Sequence, residues 1–105
     1  MNDPNSNPLP YRVTYSGRVR DGLRELMTRA RGLGLLPQVR AAVLEIDRRL
    51  RIYPQFGQPL RDLLVEQATL WIGVVPPLVV QYVIDEAGRQ VMVVLPVVPL
   101  PDSGL

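Results

Sequence analysis

The sequence predicts an α+β domain in the order β-α-α-β-β-β, with a helical hairpin packed on one face of a small, mainly antiparallel four-stranded sheet. Three patterns lead to this prediction: an alternating segment near the start, two segments with apolar residues at helical spacing, and a Val-rich second half interrupted by turns. With 105 residues, of which 47% are apolar, the chain has room for one such domain.

Side-chain periodicity places the first strand and the first helix. In the segment 11–15, YRVTY, apolar and polar residues alternate, which is typical of a strand with one buried face. Ser16 is a suitable N-cap, and apolar residues recur at helical spacing from Val19 to Ala30. Gly32 and Gly34 predict the end of this helix.

The second helix is predicted from Pro37 to about Ile52. Proline fits best in the first turn of a helix, and an apolar stripe continues through Val39, Val43, Ile46 and Leu50. Two oppositely charged pairs stand four residues apart and predict ion pairs on the solvent face: Glu45 with Arg49, and Asp47 with Arg51. The residues that follow, 54–59, predict an irregular loop, and Leu60, Leu63 and Leu64 predict a short apolar anchor beside Phe56.

An uncharged tract from Gln67 to Ile84 has two interpretations. Its length approaches that of a transmembrane helix. However, Pro76 and Pro77 lie near its centre, and its many Val and Ile residues favour two strands joined at these prolines. We therefore predict strands over 70–75, 78–84 and 90–98, with a turn at 85–88 in which Gly88 can take a positive φ.

Outside these elements, the chain predicts short terminal segments. Residues 1–10 are polar and Pro-rich and predict a flexible lead-in, residues 11–98 form the domain, and residues 99–105 form a C-terminal tail. The lead-in lacks the basic and apolar stretches of a secretory signal.

The composition narrows the chemistry that the chain can perform. Because the sequence contains no Cys and no His, it has no thiol nucleophile, and it lacks both the commonest general base and the commonest metal ligand. No phosphate-binding glycine loop or nucleophile elbow is present either, and we expect no cofactor and no metal. All 12 basic residues are Arg, which suits phosphate or carboxylate recognition but also fits the codon bias of a GC-rich genome.

Two sequence segments resemble those of a known protein family. The segment 53–63, YPQFGQPLRDL, precedes the predicted sheet, and a later strand ends in YVID at residues 82–85. Together with the order of elements, these phrases resemble the RelE/ParE toxin superfamily of bacterial type II toxin–antitoxin systems over roughly residues 11 to 97. The resemblance implies a RelE-like fold.

In the RelE branch, the resemblance implies docking in the ribosomal decoding site and cleavage of mRNA by attack of a 2′-hydroxyl on the adjacent phosphate. This reaction needs groups that exchange protons and cations that stabilise the charge on phosphorus. The resemblance therefore implies RNA- or partner-binding roles for Arg48, Arg49, Arg51, Arg61 and Tyr82.

Each of these assignments has a structural alternative. The arginines near the end of the second helix can serve the helix dipole and the neighbouring carboxylates. Tyr82 and Tyr53 can be core or edge aromatics, and Trp71 can be a core residue or an interface anchor. Asp85 and Glu86 lie in a predicted turn, where solvation is the ordinary role.

The chain departs from the family pattern where catalysis would be expected. Val79 stands where members commonly carry Arg, and the preceding strand, with Trp71 at its start, also lacks the Arg that is often found there. The segment 96–100, PVVPL, replaces the frequent His, Arg or Tyr. Because loss of a positioned catalytic cation commonly costs orders of magnitude in rate, we expect a weak or inactive nuclease, with the catalytic residues unknown.

These departures leave several functions open. A toxin could act at the ribosome, or it could inhibit DNA gyrase by binding, as in the ParE branch. A catalytically silent interaction module could instead use its apolar surface to bind an antitoxin or a second copy in a homodimer. The resemblance also implies a cytoplasmic bacterial protein associated with plasmid stabilisation.

Overall fold

In the described part of the chain, two helices form a layer on one face of a six-stranded sheet. The computed structural model describes residues 9–65 and 68–105, and the side chains of residues 61–65 lie outside the described part. The helices are α1 (Gly17–Gly32) and α2 (Leu36–Ile52), and a 3-10 turn follows at Pro54–Phe56. The strands are β1 (Arg12–Tyr15), β2 (Gln58–Val65), β3 (Ala68–Val75), β4 (Leu78–Asp85), β5 (Gln90–Val93) and β6 (Val98–Pro99).

The sheet is mainly antiparallel, which confirms the predicted fold class. Its strand order is β1-β5-β4-β3-β2, and β6 pairs with β4. The β1–β5 pair is parallel and the other pairs are antiparallel. Of the described strands, β1 and β2 therefore form the two edges.

The described residues form six strands, two more than the predicted four. Residues 58–65, which we expected to be loop and apolar anchor, pair with β3 as β2. An edge strand tolerates Pro59, which has no N–H to donate. The strand predicted over 90–98 ends at Val93, and Val98 and Pro99 pair with β4 instead, so the prolines divide this stretch into two short strands.

The ends of the helices agree with the sequence prediction. Ser16 Oγ accepts a hydrogen bond of 3.2 Å from the Val19 N–H and so caps α1. At the other end Gly34 has a φ of 73°, and the Leu35 N–H donates to the Ala30 carbonyl at 2.8 Å, the bond expected of a glycine-ended helix. The sharp turn lets α2 fold back against α1.

The turn between β4 and β5 differs from the prediction in one detail. The positive φ falls on Arg89, at 49°, and not on Gly88. Gly88 leaves room for the Asp85 side chain, because a Cβ there would lie 2.5 Å from Asp85 Oδ2, while the Gly88 N–H donates to Oδ1 at 3.1 Å.

The hydrophobic core lies between the helices and the inner face of the sheet. α2 packs against β1, β3 and β4, and α1 packs against α2. The completely buried core side chains come from both layers: Ala30, Val39, Leu50, Leu78, Val80, Tyr82, Val91 and Val93. In the described ranges, no helix is long and apolar enough to cross a bilayer.

Candidate binding groove

A groove of about 340 Å³ opens where the end of α2, the 3-10 turn and strand β3 meet. Each of these elements contributes to its wall, and β2 closes one side. The lining residues are Arg49, Phe56, Gly57, Gln58, Ile72 and Val74. The groove therefore combines one cation and one amide with an aromatic and aliphatic surface.

Phe56 forms the base of the groove because Gly73 leaves room for its ring. A Cβ at Gly73 would lie 2.5 Å from the Phe56 ring. The ring stacks on Tyr82 with centroids 5.9 Å apart and an interplanar angle of 17°. The Arg49 guanidinium lies 5.3 Å from the centroid of the same ring, within the range of a cation–π contact. The ring thus helps to hold Arg49 at the groove.

Tyr82 supports the groove from inside the core. Its side chain is completely buried, its hydroxyl donates to the Pro54 carbonyl at 2.6 Å, and Trp71 stacks on it at 6.4 Å. Burial raises the pKa of Tyr82 to about 12, although a hydrogen bond with the Gly57 backbone acts in the opposite direction. The structure thus favours the core alternative for this predicted binding residue, and leaves it only an indirect role in binding.

The arginines at the end of α2 form ion pairs within their own helix. Arg49 lies 3.8 Å from Glu45 and Arg51 lies 2.7 Å from Asp47, which confirms the two predicted pairs. Arg48 also pairs with Glu45, at 2.6 Å, and its hydrogen bond lowers the pKa of that carboxyl. Helical spacing therefore accounts for all three pairs. Among these three arginines, Arg49 alone lines the groove.

The remaining predicted residues are not among those described as lining the groove. The backbone of Arg61 belongs to β2, but its side chain lies outside the described residues. The side chains of Leu63 and Leu64, which we expected to pack beside Phe56, lie in the same stretch. Tyr53 is exposed at the end of α2. Trp71 is half-buried against the core.

A hydrogen-bond network fixes the 3-10 turn that carries Phe56. Gln55 Nε2 donates to Glu86 at 2.8 Å and to the Tyr11 hydroxyl at 3.0 Å, and that hydroxyl donates to Glu86 at 2.8 Å. The Tyr11 bond, with that from Gln55, lowers the pKa of Glu86. Glu86 therefore links the start of β1 and the β4–β5 turn to the groove. The sequence analysis expected only a solvated turn residue at this position and missed this role.

A second network ties the first strand to α2. The Tyr15 hydroxyl donates to Asp47 Oδ1 at 2.7 Å, and Arg51 Nε donates to Asp47 Oδ2 at 2.7 Å. Burial alone would raise the pKa of Asp47, but the hydrogen bonds from Arg51 and Tyr15 outweigh it and lower this pKa. Asp47 thus holds α2, and with it Arg49, against the edge of the sheet.

The outer face of the sheet carries an apolar area next to the groove. Val79 pairs with Val74 on one side and with Val98 on the other, so the three side chains adjoin on one face. Val74 and Val98 are exposed to 46% and 40%. We call these three residues the valine patch. It includes Val79, where the family resemblance leads one to expect Arg.

The lining suits binding better than acid–base chemistry. The lining residues that the structure describes include no carboxylate, imidazole or phenol, and only the Arg49 guanidinium can stabilise a developing negative charge. Across the described ranges, no three carboxylates or other metal-binding side chains converge on a common point.

Comparison with known proteins gives a structural relative. No protein-family model and no curated protein sequence matches the chain. Among solved structures, it is similar to a chain of the toxin–antitoxin complex RelBE2 from Mycobacterium tuberculosis, with a TM-score of 0.62 and 26% sequence identity. The match covers 87% of this chain and 99% of the other. The protein has a RelE-like toxin fold.

Proposed function

We propose that this RelE-like protein acts on the translating ribosome by binding, with weak or absent cleavage of mRNA. The observation that supports this most strongly is the composition of the groove, in which Arg49 is the one cation among the described lining residues. A guanidinium over an aromatic ring can hold a phosphate or stack on a base. Cleavage would also need proton-exchanging groups, which these lining residues do not supply.

The proposal gives Arg49 a role that its helical neighbours do not share. Arg48 and Arg51 are tied to carboxylates at 2.6 and 2.7 Å, whereas the distance from Arg49 to Glu45 is 3.8 Å. The Arg49 guanidinium is therefore the least neutralised of the three, and the Phe56 ring fixes its position at the groove.

Ribosome co-sedimentation tests this role. We expect the chain to sediment with programmed ribosomes and Arg49→Gln to weaken that association about tenfold. Arg12→Gln is the matched control, because it removes the same charge at the opposite edge of the sheet. Equal loss in both variants would contradict a role for the groove, and inhibition of gyrase without ribosome binding would favour the ParE-like alternative.

We also infer that an antitoxin covers the valine patch. The similar structure is a toxin–antitoxin complex, and the patch exposes adjoining Val side chains beside the groove. An antitoxin segment with apolar side chains would bury them and block access to Arg49.

Co-purification with the product of a short reading frame beside the gene tests this partner. We expect Val79→Arg to abolish co-purification, because it places a charge in the centre of the patch. Leu44→Arg, which changes a residue that is 66% exposed on α2, should leave it intact. A partner that tolerates Val79→Arg but not Leu44→Arg would place the interface on the helices instead.

A further inference from the structure

The charges of the chain are divided unequally between the helices and the sheet. Nine of the 12 Arg residues but only four of the ten acidic residues lie in α1 and α2. The chain outside the helices therefore holds three Arg residues and six acidic residues, although the overall net charge is only +2. A codon bias towards Arg would not by itself place most of the cations in one layer.

Within the helical layer, α1 carries five of the nine arginines. All five are exposed, and Arg20, Arg24 and Arg31 lie on one side of the helix because they are spaced by four and seven residues. We call these three residues the α1 basic face. The same helix has two acidic residues, Asp21 and Glu25, and in the described part of the chain the one ion pair on α1 joins Arg24 to Asp21 at 3.5 Å, with side chains 80% and 73% exposed. Such an exposed pair contributes little.

Three of the four α2 arginines differ in this respect. Arg48, Arg49 and Arg51 all lie within 4 Å of a carboxylate of their own helix. Among the described residues, four of the five helical arginines without a carboxylate within 4 Å therefore lie on α1.

We propose that the α1 basic face binds the phosphate backbone of double-stranded RNA. Arg20 and Arg31 are eleven residues apart, so the face extends for about 16 Å along a rigid helix. The deep, narrow major groove of an RNA duplex excludes such a helix, but its phosphates lie open to guanidinium groups. The choice of RNA over other polyanions rests on the proposed function, since a ribosome presents RNA duplexes around its decoding site.

This face is separate from the groove and has a different task. Arg49 would contact the target at the groove, whereas α1 would supply affinity that depends on salt and not on sequence. Since guanidinium groups stay charged at all ordinary pH values, the binding should not change between pH 6 and pH 9.

Binding to a fluorescent RNA duplex of arbitrary sequence, measured over a series of salt concentrations, tests the proposal. The variant is Arg20→Gln with Arg31→Gln, since Gln keeps the helix propensity. We expect about tenfold weaker binding at low salt, and a slope of log affinity against log salt that is less steep by roughly two. The matched control, Arg12→Gln with Arg48→Gln, removes the same charge elsewhere and should change affinity less than about threefold.

A second variant separates a loss of binding from a loss of folding, because it should change the affinity in the opposite direction. Asp21→Asn with Glu25→Gln removes the two acidic residues of α1 and should tighten binding. Equal weakening by the α1 variant and its control, or no effect of either, would overturn the proposal. Binding of polyglutamate with the same dependence on α1, but none of RNA, would also overturn it and indicate an acidic protein partner. A DNA duplex bound more tightly than RNA would contradict the choice of RNA.

The two proposals can fail separately. Duplex binding through α1 by a chain that does not sediment with ribosomes would support the basic face and contradict the proposed function. Ribosome binding that depends on Arg49 but not on Arg20 and Arg31 would do the reverse.

Discussion

At the scale of single residues, the groove depends on a glycine that makes room for an aromatic ring. Gly73→Ala would place a methyl group 2.5 Å from the Phe56 ring and push the ring away from Tyr82 and Arg49. Overpacking of this kind costs about 1 to 3 kcal/mol, and urea unfolding should show that loss. Gly22→Ala is the control: nothing lies within 4 Å of its Cβ, and alanine should stabilise α1 by about 1 kcal/mol. Equal stability of the two variants would contradict this account of Phe56.

The buried Tyr82 hydroxyl predicts a loss of stability in alkali. The pKa of Tyr82 is about 12 in the folded chain and 10.0 for a free side chain, so the folded state holds its proton more tightly. Its contribution is therefore complete below pH 10 and is lost as the pH rises towards 12. Tyr82→Phe removes this dependence and also the bond to Pro54, which should cost about 1 to 3 kcal/mol at pH 7.

Unfolding in urea at pH 8 and at pH 11 measures both effects. The wild-type chain should lose more stability than Tyr82→Phe between these two values. Tyr15, whose pKa is also raised by burial and by its bond to Asp47, is present in both proteins, so the difference isolates Tyr82. An identical loss in both proteins would show that the hydroxyl is not held as described.

Local contacts could be predicted from the sequence, whereas distant ones could not. The Ser16 cap and the pairs Glu45–Arg49 and Asp47–Arg51 follow from fixed helical spacing. The Phe56–Gly73 contact joins residues 17 positions apart through strand pairing, and Glu86 meets Tyr11 across 75 positions. Periodicity carries no signal for such contacts. The family resemblance of the segment 53–63, which contains Phe56 and Gly57, did point to this part of the chain.

At the scale of elements, Asp47 fastens α2 to β1 through Tyr15 and Arg51. Asp47→Asn should destabilise the chain by about 1 kcal/mol at pH 7. Because the pKa of Asp47 is lowered in the folded chain, its contribution exists above the usual value of 3.8 and is lost as the pH falls through the folded pKa. The difference between variant and wild type should therefore shrink in acid.

Thermal unfolding at pH 7 and at pH 2.5 checks this. Asp21→Asn is the control, since its pair with Arg24 is exposed and should contribute less than about 0.5 kcal/mol. A gap between Asp47→Asn and wild type that persists at pH 2.5 would contradict an ionic role for Asp47.

The elements themselves were predictable where one pattern dominated. Side-chain periodicity predicted both helices and strand β1, which contains most of the segment YRVTY. The many β-branched residues of the uncharged tract predicted strands β3 and β4. Strand β2 was missed because Gln58, Pro59 and Arg61 give it the composition of a loop. Its extended conformation depends on pairing with β3, a tertiary interaction that the local sequence does not show. Strand β6 is too short to leave any pattern in the sequence.

At the scale of the whole molecule, the two faces of the fold have different characters. The helical layer holds most of the positive charge, and the sheet carries the groove and the valine patch. The sequence alone indicated a cluster of arginines for RNA. Within the described residues, three of the four arginines on α2 pair with carboxylates, whereas on α1 Arg24 alone does so. Helical spacing predicted two of the α2 pairs, but the exposure of the α1 arginines is known only from the structure.

The most direct test of the central claim is an mRNA cleavage assay on programmed ribosomes, with purified chain in excess and the mRNA ends mapped by primer extension. The account predicts that the chain binds these ribosomes, that mRNA stays intact over minutes, and that Arg49→Gln reduces binding. Rapid cleavage of mRNA in the decoding site by the wild-type chain, lost in Arg49→Gln, would contradict the claim that this toxin fold binds its target without cutting it.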